Sequence, residues 1–347
     1  MKIQRCRYTI LLLMLAIIPA LTACNVYHEI QDGKIPNYEV GKQAGAEACR
    51  ECHEDQYEEW SIKSAHAIAT VNRPFLDFKE KFTDVYAFNA MMGEEMCYAC
   101  HGSKLVNEGV NCETCHGIAL PNDEDFEKTH EIKYKPGLEK MRKANFCADC
   151  HNMNNPITGD LILSLSSEWE RSNAGKNGIT CQACHMKPRE SDEAYHGFDS
   201  LSRNVEIYND ILEINDITMK FPEFGFTIVN QVSGHAIPAS GPSRIMVMEI
   251  SFRDAKGSEV YKVDQTFGKY FDLMPVFGVM PYRLKENTQL QSDEMRLVKI
   301  TLPSNLQGRI SELMMVMRFY DVSDDHQGDI NKAHTISKPF FKKRVVL

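Results

Sequence analysis

After its first 21 residues the sequence has no apolar segment long enough to enter a bilayer, which argues against a polytopic membrane protein. It also has no excess of basic residues. The 39 Lys and Arg stand against 48 Asp and Glu, a formal net charge of −9, which argues against nucleic-acid binding. No cysteine follows Cys184, although the chain has 12. With 347 residues, 43% of them apolar, and a mean hydropathy of −0.36, the chain has room for two or three globular domains.

The N-terminus has the order of residues found in an export signal. Lys2, Arg5 and Arg7 precede an apolar run over 8–21, and small residues follow it up to Cys24. We expect 1–23 to be a lipoprotein signal peptide, Cys24 to be acylated, and 24–44 to be a tether. The mature protein is then held at a membrane, on the periplasmic side or at the outer membrane or cell surface. In the alternative reading, Cys24 merely ends an ordinary signal peptide.

Ten of the 12 cysteines fall in five C-x-x-C-H units, which is the attachment signature of haem c. Two thiols three positions apart on one helical turn reach the two vinyl groups of a porphyrin, and the adjacent histidine binds the iron. The units are Cys49/Cys52/His53, Cys97/Cys100/His101, Cys112/Cys115/His116, Cys147/Cys150/His151 and Cys181/Cys184/His185. Cys6 and Cys24 belong to the signal region, so no thiol is left for a disulfide.

A zinc site is the less favoured reading of these units. Zinc knuckles pair two C-x-x-C units, or one unit with two histidines, in a chain that stays reduced, whereas here each unit has its own histidine and the chain is exported. Five haems in residues 45–200 leave about 31 residues per haem, too few for a protein core of ordinary size. We therefore expect a loop-rich, mainly helical domain whose core is five covalently bound haem c groups.

Histidines outside the units are candidates for the second axial ligand of each iron. Four are predicted to serve: His66, His196, His235 and His130. His66 follows a helical face formed by Tyr57, Trp60 and Ser64. The weaker candidates are His28, His334, His326 and the methionines near the units, Met91, Met92, Met96, Met153 and Met186. An iron that lacks a second ligand would offer an open position to a small molecule.

The second half of the chain shows the period-two alternation of β-strands. Met246, Met248, Ile250 and Phe252, for example, share one face. Seven strands are predicted, at 204–217, 224–232, 244–253, 258–264, 295–302, 312–321 and 339–346, with a long loop over 267–291 lying on the first domain. This count is typical of an immunoglobulin-like sandwich over 201–347. The predicted class is an α+β multidomain protein: a multihaem domain followed by an all-β sandwich.

Negative charge is concentrated in the half that carries the cysteines. Residues 24–200 hold 18 Lys and Arg against 30 Asp and Glu, whereas residues 201–347 hold 18 of each. Ionised haem propionates add further negative charge. The imbalance favours redox partners with a basic docking face over nucleic acid, although a merely solvated acidic surface is the alternative.

Residues 48–200 resemble the multihaem cytochrome c superfamily that contains the tetrahaem carrier of nitrifying bacteria and the hydroxylamine oxidoreductases. The segments that carry the resemblance are 49–66, Gly109-Val-Asn-Cys-Glu-Thr-Cys-His-Gly117 and Gly178-Ile-Thr-Cys-Gln-Ala-Cys-His-Met186. The resemblance implies that His66 is a distal haem ligand. The loop Gly234-His-Ala-Ile-Pro-Ala-Ser-Gly241 is similar to a Gly-His-x-x-Pro-Thr-Gly segment of members with a C-terminal sandwich, with one residue more and Ser for Thr.

These features favour electron transfer over catalysis, and no catalytic residue is assigned. The expected function is that of a lipid-anchored pentahaem electron carrier in anaerobic or extracytoplasmic respiration. One alternative is a reductase or oxidase that acts on a small nitrogen or sulfur oxyanion at an open haem. The C-x-x-C-K motif usual in pentahaem nitrite reductases is absent. Another alternative is a sandwich that serves as a separate docking module.

Overall fold

Short helices form the first half of the chain, and antiparallel strands form the second. The computed structural model describes residues 45–73, 75–76, 79–80, 98, 100–102, 108–116, 139–155, 158–188, 193–198, 210–239, 244–273, 282–322 and 333–347. The proposed signal peptide and tether, and the proposed domain boundary at 200/201, lie outside these residues. Within them, no helix has the length and apolar character needed to cross a membrane.

Among the described residues of the first half, the helices are short. They are α1 Glu47–Arg50, α2 Glu54–Lys63, a 3-10 turn at His66–Ile68, α3 Cys112–His116, α4 Ala144–His151, α5 Leu165–Arg171, α6 Asn173–Lys176 and α7 Cys181–His185. Side chains cap three of the single-turn helices. In α6, the Gly175 N–H donates to Ser172 Oγ (3.0 Å). The Thr114 N–H donates to Asn111 Oδ1 (3.1 Å), and the Ala183 N–H donates to Thr180 Oγ1 (3.4 Å). A small hairpin, β1 Asn152–Asn154 with β2 Leu161–Ser164, lies between α4 and α5.

Ten further strands follow in the part of the chain that the structure describes, and they include a counterpart of each predicted run. They are β3 Leu212–Lys220, β4 Glu223–Asn230, β5 Arg244–Arg253, β6 Glu259–Phe267, β7 Lys269–Leu273, β8 Tyr282–Asn287, β9 Met295–Thr301, β10 Glu312–Val322, β11 Ala333–Ile336 and β12 Phe341–Val346. The predicted and observed strands agree because side chains alternate between the two faces of a strand, and those on one face point into the core. In β10, Leu313, Met315 and Met317 are fully buried.

Two antiparallel sheets pack face to face around one apolar core. The larger sheet has the order β11-β10-β5-β6, with β12 also paired to β10, and the smaller has the order β3-β4-β9. Phe224 and Phe226 from the smaller sheet meet Met248 and Phe252 from the larger one in this core. The second half is therefore a β-sandwich.

The predicted loop over 267–291 is in part a hairpin, which corrects the sequence-based expectation. Strands β7 and β8 pair antiparallel, with Lys269 opposite Asn287. Phe271 of this hairpin packs with Ile162 of β2, and the Leu284 N–H donates to Asp160 Oδ2 over 3.1 Å. The segment does lie on the first half of the chain, as expected. Its paired strands were missed because it shows little alternation, and its apolar residues serve this contact.

Candidate haem sites

We number the five C-x-x-C-H units as sites I to V in chain order. Units III and V are the helices α3 and α7, and unit IV is the last turn of α4. In unit II, Cys97 lies outside the described residues, while Cys100 and His101 are helical. Residues three apart on a helical turn share one side, so the two thiols of units III, IV and V can each attach to one porphyrin edge.

Unit I departs from the predicted geometry at Cys52, which corrects the expectation that both thiols of every unit share one helical turn. Helix α1 ends at Arg50, so Cys49 is helical, whereas Cys52 lies in the turn before α2 and its side chain is exposed. His53, which follows this turn, is the N-cap residue of α2. The Cys52 and His53 N–H groups still donate to the Cys49 carbonyl, at 3.3 and 2.9 Å. This turn keeps the unit together, and attachment of haem at Cys52 remains a prediction.

Thiols from different units lie in contact and show which sites adjoin. Electrostatic interactions join three pairs of neighbouring thiols, Cys49 with Cys112, Cys100 with Cys150, and Cys147 with Cys181. Cys115 is buried, which raises its pKa to about 11, and it interacts electrostatically with Cys147 and Cys150. Sites I and III, III and IV, II and IV, and IV and V are therefore neighbours. Their order in space differs from their order in the chain.

Three predicted distal histidines lie opposite the histidines of three units. The ring centres of His66 and His151 are 6.0 Å apart. Those of His116 and His196 are 6.2 Å apart, and those of His185 and His235 are also 6.2 Å apart. Two imidazole–metal bonds of about 2.0–2.1 Å on opposite sides of one ion, plus about 1 Å from each nitrogen to its ring centre, give about 6 Å. The pairs at sites III, IV and V therefore fit one axially coordinated iron each.

Backbone carbonyls orient several of these imidazoles. Nδ1 of His196 lies 2.8 Å from the Ala194 carbonyl oxygen, and Nδ1 of His235 lies 2.9 Å from the Ala236 carbonyl oxygen. His101 of site II makes a similar contact with a carbonyl at 3.1 Å. Since a carbonyl only accepts, each Nδ1 carries the hydrogen and Nε2 keeps the lone pair that a metal needs.

Burial favours the neutral form of four histidines, His66, His101, His116 and His151, and neutral imidazole is the form that binds a metal. Burial, together with the charge of neighbouring histidines, lowers the pKa of His66 to about 3 and that of His116 to about 4. Burial also lowers the pKa of His101 and His151. The donor set therefore suits iron without a loss of bound protons at neutral pH.

A buried side-chain oxygen anchors each of the three distal segments. The His66 N–H donates to Ser64 Oγ (3.1 Å), and the His196 N–H donates to Glu59 Oε2 (2.9 Å). The Ala236 N–H, next to His235, donates to Glu168 Oε2 (3.0 Å). All three acceptors are at most 8% exposed. Sequence reasoning missed both carboxylates, because each lies 68 or more positions from the segment it holds.

The backbone at His66 packs directly against Gly109 and Val110, which precede unit III. The Trp60 indole donates to the Val110 carbonyl (2.8 Å), and the Val110 N–H donates to the His66 carbonyl (2.9 Å). A Cβ on Gly109 would lie 1.8 Å from that same carbonyl oxygen. The close backbone approach therefore requires glycine at 109.

Apolar surface in this half also fits a porphyrin. Among the described residues of this half, four large apolar side chains are more than a third exposed, namely Ile62, Val71, Leu76 and Ile179. A flat macrocycle held by the units would cover such surface. Of the other candidate ligands, Met153 packs against the Ile162 cluster. His28, His130, His326, Met91, Met92 and Met96 lie outside the described residues, as does the side chain of His334.

Residues 48–117 match the family model described as cytochrome c554 and c-prime. The fold is similar to that of a penta-heme cytochrome c552 from Thermochromatium tepidum, with 17% identity, a TM-score of 0.62, and coverage of 88% of this chain and 99% of that one. Together with the C-x-x-C-H units, these matches support a multihaem cytochrome c that binds haem covalently. No curated protein matches the sequence.

Other solved structures align over 40% of the chain with a TM-score of only 0.17. They include the hypothetical protein PH1083 from Pyrococcus horikoshii OT3, at 8% identity and 87% of its length. They also include a Bacteroides uniformis beta-glucuronidase, at 10% identity and 13% of its length. These similarities carry no argument.

Proposed function

We propose that the chain is an exported, lipid-anchored pentahaem cytochrome c that transfers electrons in anaerobic or extracytoplasmic respiration. The observation that carries this proposal is the geometry of the three histidine pairs. An iron with an imidazole on both sides has no open position for a substrate, so such a site passes electrons rather than transforming a ligand. At sites III, IV and V, the paired histidines would hold an iron in this way.

When bound, haem supplies the ferric/ferrous couple, and the protein fixes where each couple lies. The thiol contacts hold sites I, III, IV and V in succession, with site II beside site IV. The hydrogen bonds of His196 and His235 to backbone carbonyls would hold these two imidazoles in place when the charge of the iron changes. The arrangement supports a continuous route from site I to site V with a branch at site II.

The sandwich is proposed to be an immunoglobulin-like domain that forms part of site V. Two packed antiparallel sheets, the smaller one three-stranded, support the immunoglobulin-like assignment. His235, which follows β4, is the contribution of the sandwich to the haem sites. This placement favours an integral role over a separate docking module.

A basic redox protein is the proposed partner, and stopped-flow kinetics test both function and partner. Exposed acidic residues surround His53 at site I: Glu47, Glu51, Glu54, Asp55 and Glu58. Reduced protein mixed with a basic monohaem cytochrome should deliver electrons from all five sites, about tenfold more slowly at high salt, because salt screens steering. Sites that stay reduced would contradict the carrier function. A rate independent of salt would contradict the acidic docking surface.

The membrane anchor is proposed from the small-residue sequence ending at Cys24. Acyl chains on that thiol would hold the protein at the membrane surface. We expect Cys24→Ala to move the haem-containing protein from the membrane fraction to the soluble fraction after cell lysis. Cys6→Ala, in the signal region, is the matched control and should leave the fractionation unchanged. Retention of the Cys24 variant in membranes would rule out the anchor.

A further inference from the structure

A buried group of charged and polar side chains joins the two halves of the chain. Lys269, at the start of β7, donates to Ser164 Oγ, and the Ser164 hydroxyl donates to Glu168 Oε1. The Lys269 ammonium also lies 3.5 Å from Glu168 Oε1. The side chains of Lys269 and Glu168 are only 3% and 6% exposed. Burying two opposite charges is costly unless each is fully partnered, so such a group signals a specific role.

The second oxygen of Glu168 connects this group to site V. It accepts from the Ala236 N–H, and the carbonyl of Ala236 accepts from Nδ1 of His235. The His235 ring in turn faces His185. A continuous series of polar contacts therefore runs from Lys269 to the imidazole on the open side of unit V.

The charges of Glu168 and Lys269 would affect the reduction potential of the iron as well as the position of its ligand. A buried carboxylate near an iron favours the oxidised state, which has one more positive charge, and a nearby ammonium offsets that preference. Burial lowers the pKa of Lys269, and the Glu168 carboxylate opposes that shift by stabilising the ammonium. Because low effective dielectric strengthens both interactions, the pair is placed to set the potential of one site selectively.

We propose that Glu168 and Lys269 are positioning residues of site V: Glu168 holds the His235 loop, and Lys269, supplied by the sandwich, sets the reduction potential by balancing the carboxylate. This inference rests on the proposed function and deepens it, because it names the residues through which the sandwich controls one haem. At site IV the corresponding anchor is the neutral Ser64. A neutral side chain can therefore accept the hydrogen bond that anchors a distal segment. The carboxylate at site V is not needed for that bond alone.

The test is a spectroelectrochemical titration of the intact haem-loaded protein and its variants. Lys269→Met should lower one of the five midpoint potentials by about 59 mV or more, a tenfold change in its redox equilibrium. Glu168→Gln should raise the same potential, and the double variant should return it close to the wild-type value. Lys269→Arg should preserve it. Lys262→Met, which removes a half-exposed lysine paired with Glu249, is the matched control and should shift none.

Opposite signs for the two single variants distinguish charge control from disruption, since disruption would move both in one direction. Shifts of the same sign, or no shift in either variant, would overturn the proposal. If Lys269→Met does not accumulate, the upward shift in Glu168→Gln and the unchanged Lys269→Arg variant still decide it. Slow electron delivery to a basic cytochrome with unchanged potentials would instead count against the proposed function alone.

Discussion

Replacing His235 by alanine is expected to turn one low-spin iron high-spin while leaving all five haems covalently attached. The reason lies in the separate roles of the ligands at site V. Cys181, Cys184 and His185 form the single turn of α7, whereas His235 comes from the sandwich. Removing its imidazole opens one axial position without touching the attachment.

Electron paramagnetic resonance of the fully oxidised protein, with and without cyanide or nitrite, measures this change. The wild-type protein should show low-spin signals at sites III, IV and V that do not respond to added ligand. The His235→Ala variant should gain one high-spin signal that cyanide converts to low-spin. His326→Ala, in a segment rich in aspartate, is the control and should match the wild-type spectrum.

Two other outcomes would change the interpretation. An unchanged spectrum in His235→Ala would mean that site V takes its second ligand elsewhere, and the assignment of the loop would be wrong. A high-spin signal in the wild-type protein that shifts with nitrite would reveal an open iron at another site. The function would then be reassigned to the reduction or oxidation of a small oxyanion.

Local patterns in the sequence predicted the elements whose conformation depends on residues that are close together in the chain. Units III and V form single helical turns because their two thiols and histidine are close in sequence. The bounds of β5 match the predicted run, in which Met246, Met248, Ile250 and Phe252 share one buried face. His66 was found from the helical spacing of Trp60 and Ser64, and both contact the segments around it. The ligand role of His66 remains a prediction.

The same local rule fails at unit I, where spacing alone placed Cys52 on one helical turn with Cys49. Helix α1 has only four residues and ends before Cys52, and α2 begins just after His53. Isolated helices this short are marginal, so the contacts of the flanking segments decide where each one ends. Those contacts join α1 to residues that are distant in sequence, such as Glu108, which accepts from the Ala46 N–H at 2.8 Å.

The long-range polar contacts could not be predicted in this way. Glu59 holds a backbone N–H that is 137 positions away, and Lys269 reaches Ser164 over 105 positions. A buried glutamate or lysine cannot be told from a solvated one in the sequence, because its burial follows only from the packing of the two halves. For the same reason, the sequence alone did not show that the sandwich supplies both a distal histidine and a buried charge to site V.

Replacing Gly109 by alanine is expected to destabilise the haem-loaded protein by about 3 kcal/mol, the upper part of the usual cost of overpacking. The new Cβ would lie 1.8 Å from the His66 carbonyl oxygen, so backbone must move. Gly102 faces the same crossing, because its own Cβ would lie 2.0 Å from the Gly109 carbonyl oxygen. Segments from sites II, III and IV therefore meet at this point without room for a methyl group.

The displacement should act on site IV through His66, whose carbonyl also accepts from the Val110 N–H. We expect fewer haems per chain, a lower melting temperature in Soret-monitored unfolding, and a changed low-spin signal from site IV. Gly268→Ala is the matched control, because its Cβ would meet neighbours at an ordinary 3.6–3.7 Å. Equal stability and spectra for the two variants would mean that a methyl group fits between the two segments. Glycine at 109 would then not be required for the position of the His66 segment.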